Sequence, residues 1–132
     1  MMNLIYSDAP DVKKSLEEIA THLSMSHVNL ARVHCRRSRG STARRVVARI
    51  HGFGKIWQSA LGLAPCYVIE VISEKFDALS LEEKEKTLIH ELLHIPKSFA
   101  GGFRPHKGRV TRSSVEKLYK ALLHERQEKI SL

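Results

Sequence analysis

The stretch Thr87-Leu88-Ile89-His90-Glu91-Leu92-Leu93-His94-Ile95-Pro96 decides how the rest of the chain is read. It contains the pattern His-Glu-x-x-His. On a helix, residues four apart lie one turn apart on the same face. His90 and His94 then present two imidazoles to one point, as a zinc ion requires, and Glu91 beside them reaches a zinc-activated water as general base. Leu88, Ile89, Leu92, Leu93 and Ile95 supply apolar surface on both sides of this polar stripe. Two imidazoles and a carboxylate in so apolar a segment are costly unless something pairs with them. A metal supplies that pairing; the plainer reading is a pair of hydrogen-bonded core histidines.

The flanks favour the metal. Ser80-Leu81-Glu82-Glu83 is a capping box that opens the motif helix, and Pro96 ends it directly after the second histidine. Ser98 to Gly108 reads as a loop by its Gly and Pro content. Catalytic zinc usually takes three protein ligands and keeps one position for water. His106 is the leading third ligand: eleven residues separate it from His94, enough for the loop to turn back, with Gly101 and Gly102 for freedom and Pro105 stiffening the approach. Glu116 on the last helix is the competitor, which would give a two-His-plus-Glu set. Glu125 and Glu128 read as solvated. His22, His27, His34, His51 and His124 lack ligand spacing with one another and read as structural or surface residues.

At 132 residues the chain reads as one domain, residues 1–132, able to build a core without staples. Its apolar fraction of 42% argues against disorder, and no run of about 18 apolar residues suits a membrane span. The N-terminus shows no secretion signal. Cys35 and Cys66 are too few and too far apart for a disulfide scaffold or a cysteine zinc site, so two reduced thiols and a cytoplasmic location are expected.

Lysine and arginine total 22 against 14 acidic residues, a net charge of +8. The excess lies in residues 32 to 55, which contain no acidic residue, and in Arg104, Lys107, Arg109 and Arg112. Such clusters can be an electrostatic footprint for DNA or another polyanion, with Arg36, Arg37, Arg39, Arg44 and Arg45 as the contacts. Equally they can be an ordinary basic surface, since Phe53 and Trp57 are the only aromatic residues there for base stacking.

Elsewhere, Ser7 to Asp11 starts a first helix that ends near Leu23 or Ser24. His27 to Cys35 alternates as a strand, Arg36 to Thr42 reads as a turn, and Arg44 to His51 is a second β-branched run. Together they suggest a hairpin with an arginine-rich tip, with a helix over Ala43 to Ile50 as the alternative. Lys55 to Leu61 is a short helix capped by Gly62. Tyr67 to Ile72 is the strongest strand, with Glu70 either exposed or facing the cleft. Val115, Leu118, Tyr119, Leu122 and Leu123 mark a last helix that frays over Glu125 to Lys129.

The run Ile89 to Pro96, followed by Phe99-Ala100-Gly101-Gly102-Phe103-Arg104-Pro105-His106, resembles the phage and archaeal metallopeptidases, a group similar to SprT-like zincins. Ala48 to Gly52, Trp57-Gln58 and Tyr67 to Ile72 share the likeness, which spans about Val33 to Gly108. The resemblance implies a compact α+β zincin-like domain: a small, mainly antiparallel sheet packed on the motif helix, with helices at both ends of the chain. It also implies that His90, His94 and His106 bind Zn²⁺.

The expected activity is peptide-bond hydrolysis on a protein or peptide substrate, with Glu91 as general base. Arg104 or Tyr119 would steady the oxyanion, and the strand Tyr67 to Ile72 would accept an extended substrate by strand addition. The alternatives are a basic nucleic-acid-binding module with a structural zinc, or a protease recruited to DNA-bound proteins.

Overall fold

Residues 3–131 are described in a computed structural model. Along the chain run β1 (Ile5–Asp8), α1 (Pro10–His22), a 3-10 turn (Leu30–Arg32), β2 (Val33–Arg39), β3 (Ala48–Gly52), α2 (Lys55–Leu61), β4 (Tyr67–Ile72), α3 (Ser73–Phe76), α4 (Leu81–Leu93) and α5 (Arg112–Ser131). The architecture is α+β, with a four-stranded mixed sheet in the order β1-β2-β4-β3 and five α-helices among the described residues.

Sheet order follows from how apolar each strand is. Tyr67, Ile69, Glu70, Val71 and Ile72 of β4 are all buried, so both faces of this strand must be covered. It sits inside the sheet, parallel to β2 on one side (Val33 opposite Tyr67, Ser38 opposite Ile72) and antiparallel to β3 on the other (Ala48 opposite Val71). β1 closes the far edge, antiparallel to β2. Two of the three pairings are therefore antiparallel, and the third is parallel.

The expected hairpin between the two arginine-bearing runs does not form, because β4 lies between β2 and β3. The expected turn at Arg36 to Thr42 is also displaced. Arg36, Arg37 and Arg39 continue β2, and the chain turns only at Gly40, whose φ is +84°. Carboxylates make this possible: Asp8 meets Arg36 at 3.1 Å, while Asp11 and Asp77 meet Arg37 at 2.5 and 2.8 Å. With their charges matched, these arginines can stay in a strand.

Helices α1, α4 and α5 pack together against the sheet in one continuous core. Leu16, Ile19, Leu88, Ile89, Leu92 and Leu122 are fully buried there, and each contributes ~1.5–3 kcal/mol of apolar burial. Helix α5 does not fray where its sequence turns polar. It runs to Ser131, because Arg126 reaches back to the buried Glu85 of α4 at 3.0 Å and to Glu18 of α1. The last polar turns are thereby tied to two other helices.

Candidate metal centre

Helix α4 delivers the motif at its C-terminal end. Ser80 caps the start by accepting the Glu83 N–H at 3.2 Å, and Glu82 and Glu83 lie in the first turn, where the helix dipole favours negative charge. His90 and Glu91 occupy the last turn. His94 is the C-cap, with its N–H bonded back to Glu91 O at 3.1 Å. Pro96 follows, as its missing N–H and fixed φ require.

The His106 ring lies beside the other two. Ring centroids are 5.0 Å apart for His90 and His94, 5.3 Å for His90 and His106, and 4.5 Å for His94 and His106. One nitrogen from each ring lies within 4.8 Å of the others, and the Nε2 atoms of His90 and His94 are 3.3 Å apart. Burial, reinforced by the two neighbouring imidazoles, lowers His90 to about 4, so this ring is neutral with a free lone pair at neutral pH.

His94 is oriented from behind. Its Nδ1 lies 2.9 Å from the carbonyl of Arg104. A carbonyl only accepts, so Nδ1 carries the proton and Nε2 is left with the lone pair that faces the cluster. The Arg104 N–H returns a second bond to His94 O at 2.8 Å. Arg104 thus locks the incoming loop to the helix end two residues before His106.

That loop is strapped down by Tyr67. Its hydroxyl accepts the Gly101 N–H at 2.9 Å and donates to Gly102 O at 2.8 Å, while its ring packs edge-on to Phe99 and Phe103. Gln58 adds a bond to Ala100 O at 2.9 Å. Glycine is required at Gly101: φ is +99°, and a Cβ there would meet Phe53 O at 2.3 Å. Tyr67 and Gln58 were not recognised from sequence as positioning residues. The available signal was a tyrosine opening an otherwise apolar strand, since a buried hydroxyl needs partners.

The Glu91 side chain is buried, and its carboxyl has no hydrogen-bond or ion-pair partner among the described residues. Burial pushes its carboxyl up to about 7. It opens onto a cleft of about 880 Å³ shared with His90, His94 and His106 and walled by β3 and the first turns of α5.

The putative phage metallopeptidase family model matches residues 4–127. The chain belongs to this family. No curated protein and no solved structure matches it. Membership in the phage metallopeptidases implies a metal-dependent peptidase and a protein substrate, and the three imidazoles are compatible with zinc. The match extends beyond the Val33 to Gly108 span of the sequence resemblance, taking in β1, α1 and most of α5.

Other candidate residues of this phage metallopeptidase fall elsewhere. Glu116 lines the same cleft but is held by Lys86 at 2.8 Å. Tyr119 sits in the core with the Lys86 ammonium over its ring and does not line the cleft, whereas Arg104 does. Glu125 and Glu128 are exposed. His22 bonds the Glu18 carbonyl on its own helix, and His51 bonds Glu70. Glu70 is neither exposed nor in the cleft: it is buried and accepts from Arg49 at 2.8 and 3.1 Å. Strand Tyr67–Ile72 has both edges filled by β2 and β3, so it cannot take an added strand; β3 is the edge strand beside the cleft. Cys35 and Cys66 are free thiols. No helix among the described residues is long and apolar enough to cross a membrane.

Proposed function

We propose that the chain is a zinc-dependent peptidase of zincin type, similar to SprT-like enzymes, in which His90, His94 and His106 hold Zn²⁺ and Glu91 is the general base. The observation that carries this reading is the convergence of three imidazole nitrogens within 4.8 Å, beside a buried carboxylate. Three imidazole nitrogen donors with room for a fourth, non-protein ligand are the donor set of hydrolytic zinc rather than of a closed structural site. Zinc held there would supply Lewis-acid polarisation of the scissile carbonyl and a more acidic water.

The chain's own groups do the rest. Glu91, raised to about 7 by burial, takes the proton of the attacking water and passes it to the departing amine. The Arg104 guanidinium steadies the charge that develops on the carbonyl oxygen. The free edge of β3, whose Ala48 to Ile50 line the cleft, pairs with an extended substrate. Recruitment to DNA through Arg36, Arg37, Arg39, Arg44 and Arg45 has less support, because Arg36 and Arg37 are already engaged by Asp8, Asp11 and Asp77.

The deciding experiment pairs elemental analysis with cleavage of an unfolded protein. One zinc per chain is expected. Glu91→Gln should keep that zinc and lose activity by a factor of about 10²–10⁴. An active, zinc-loaded Glu91→Gln enzyme would remove Glu91 from the chemistry.

A further inference from the structure

We infer that the cleft selects acidic peptides, with Asp or Glu side chains on either side of the scissile bond held by Arg45 and Arg112; this rests on the peptidase reading and names its substrate class. Five cations and three carboxylates line the cleft, and the fold accounts for only some of them. Arg49 is held by Glu70, and Lys86 by Glu82 and Glu116 at 3.0 and 2.8 Å. The guanidinium groups of Arg45, Arg104 and Arg112 have no hydrogen-bond or ion-pair partner among the described residues. Elsewhere in the chain Arg32, Arg36, Arg37 and Arg126 are engaged, while the side chains of Arg39, Arg44 and Arg109 likewise make no hydrogen bond or ion pair among the described residues. Half of the arginines left without such a partner thus line the histidine site.

Their placement suits a peptide. Arg45 precedes β3, Arg104 lies on the loop two residues before His106, and Arg112 opens α5, so the three approach the histidines from different elements. Arg112 is unfavourable for its own helix, since a dipole's N-terminal end prefers an acidic residue and the first turn of α5 has none. A guanidinium presents a planar fork of N–H donors that matches a carboxylate in bidentate fashion. Between the cations the wall is aliphatic, with Val46, Val47, Ala48 and Ile50. That suits peptide side chains better than stacked bases, for which Phe103 is the one aromatic lining residue.

The test measures binding to the zinc-loaded 132-residue chain carrying Glu91→Gln by fluorescence anisotropy at about 0.15 M salt, where long-range charge effects are screened. Peptides of one apolar scaffold carry flanking Asp and Glu, Asn and Gln, or Lys, and a single-stranded DNA oligonucleotide serves as competitor. The acidic peptide should bind roughly tenfold more tightly than the amide one, and the lysine peptide most weakly. Arg45→Glu/Arg112→Glu should invert that order, and the milder Arg45→Gln/Arg112→Gln should abolish the acidic preference. Lys14→Glu/Lys129→Glu, the same charge change on exposed residues outside the cleft, should leave the order intact.

Equal binding of acidic and amide peptides overturns the inference. So does an acidic preference that survives either cleft double variant, or an oligonucleotide that binds more tightly and displaces the acidic peptide. Because binding is read without turnover, an acidic preference with no cleavage by the wild-type chain would overturn the peptidase reading and leave the selectivity standing.

Discussion

His94 and Arg104 hold each other through two hydrogen bonds, Arg104 N–H to His94 O at 2.8 Å and His94 Nδ1–H to Arg104 O at 2.9 Å. The pair joins the end of a buried helix to the start of an exposed loop. Two of the three imidazoles therefore sit on packed secondary structure, and the third depends on how that loop is held.

A hierarchy of zinc affinity follows from this difference. His90→Ala and His94→Ala remove rings fixed by the helix and should abolish stoichiometric zinc. His106→Ala removes an exposed ring and should weaken binding while leaving a measurable two-histidine site. Titration with a competing chelator checks the order; equal losses for all three would mean that the loop ring is as rigidly held as the helix pair.

Gly101 and Gly102 separate local geometry from flexibility. Gly101 has φ +99° and a Cβ there would strike Phe53 O at 2.3 Å, whereas a Cβ on Gly102 meets nothing within 4 Å. Gly101→Ala should displace the strap and lower zinc affinity by roughly tenfold or more, about 1.4 kcal/mol. Gly102→Ala should change it little. Matched affinities in the two variants would show that the strap does not set the position of His106.

Stability should fall in acid partly through Glu70. Burial alone would raise this carboxyl, but the hydrogen bonds from Arg49 and His51 outweigh it and hold the group at about 2, below its ordinary 4.5. The folded value is depressed, so the contribution is fully present above 4.5 and disappears as pH falls through 4.5 toward 2. It is on the order of 3 kcal/mol. In urea melts taken across that window, Glu70→Gln should show a shallower decline than wild type.

The Glu85–Arg126 pair anchors the end of α5. Glu85 is buried and Arg126 partly so. Arg126→Ala leaves a buried carboxylate without its partner and should cost about 2–3 kcal/mol, discounted from the fully buried case because the guanidinium side is open to water. Hydrogen exchange should localise the loss to residues 124 to 131, and unchanged exchange there would show that packing alone holds those turns.

Much of the site was legible because it is local. The four-residue spacing of His90 and His94, the Ser80 cap and the Pro96 stop all lie within one helix and its ends, where sequence distance is spatial distance. His106 could be anticipated from loop length. The sheet was harder. β1 is exposed at every one of its residues, so it has no alternating pattern to read, and Arg36 and Arg37 looked like a turn because their carboxylate partners are 26 to 40 residues away in sequence. Strand order depended on β4 needing cover on both faces, a property of the assembled sheet. The Tyr67 strap and the unpartnered cleft arginines likewise emerge only when distant segments meet.

Among the described residues the sheet contains no pair of strands joined by a tight turn: α1 separates β1 from β2, β3 and α2 separate β2 from β4, and α2 separates β3 from β4. Nothing in it can zip outward from a short nucleus, so every pairing must await the closure of a sizeable loop. Refolding should therefore be slower than helix formation in α4, and the assembly of His106 against that helix must wait on the slowest strand.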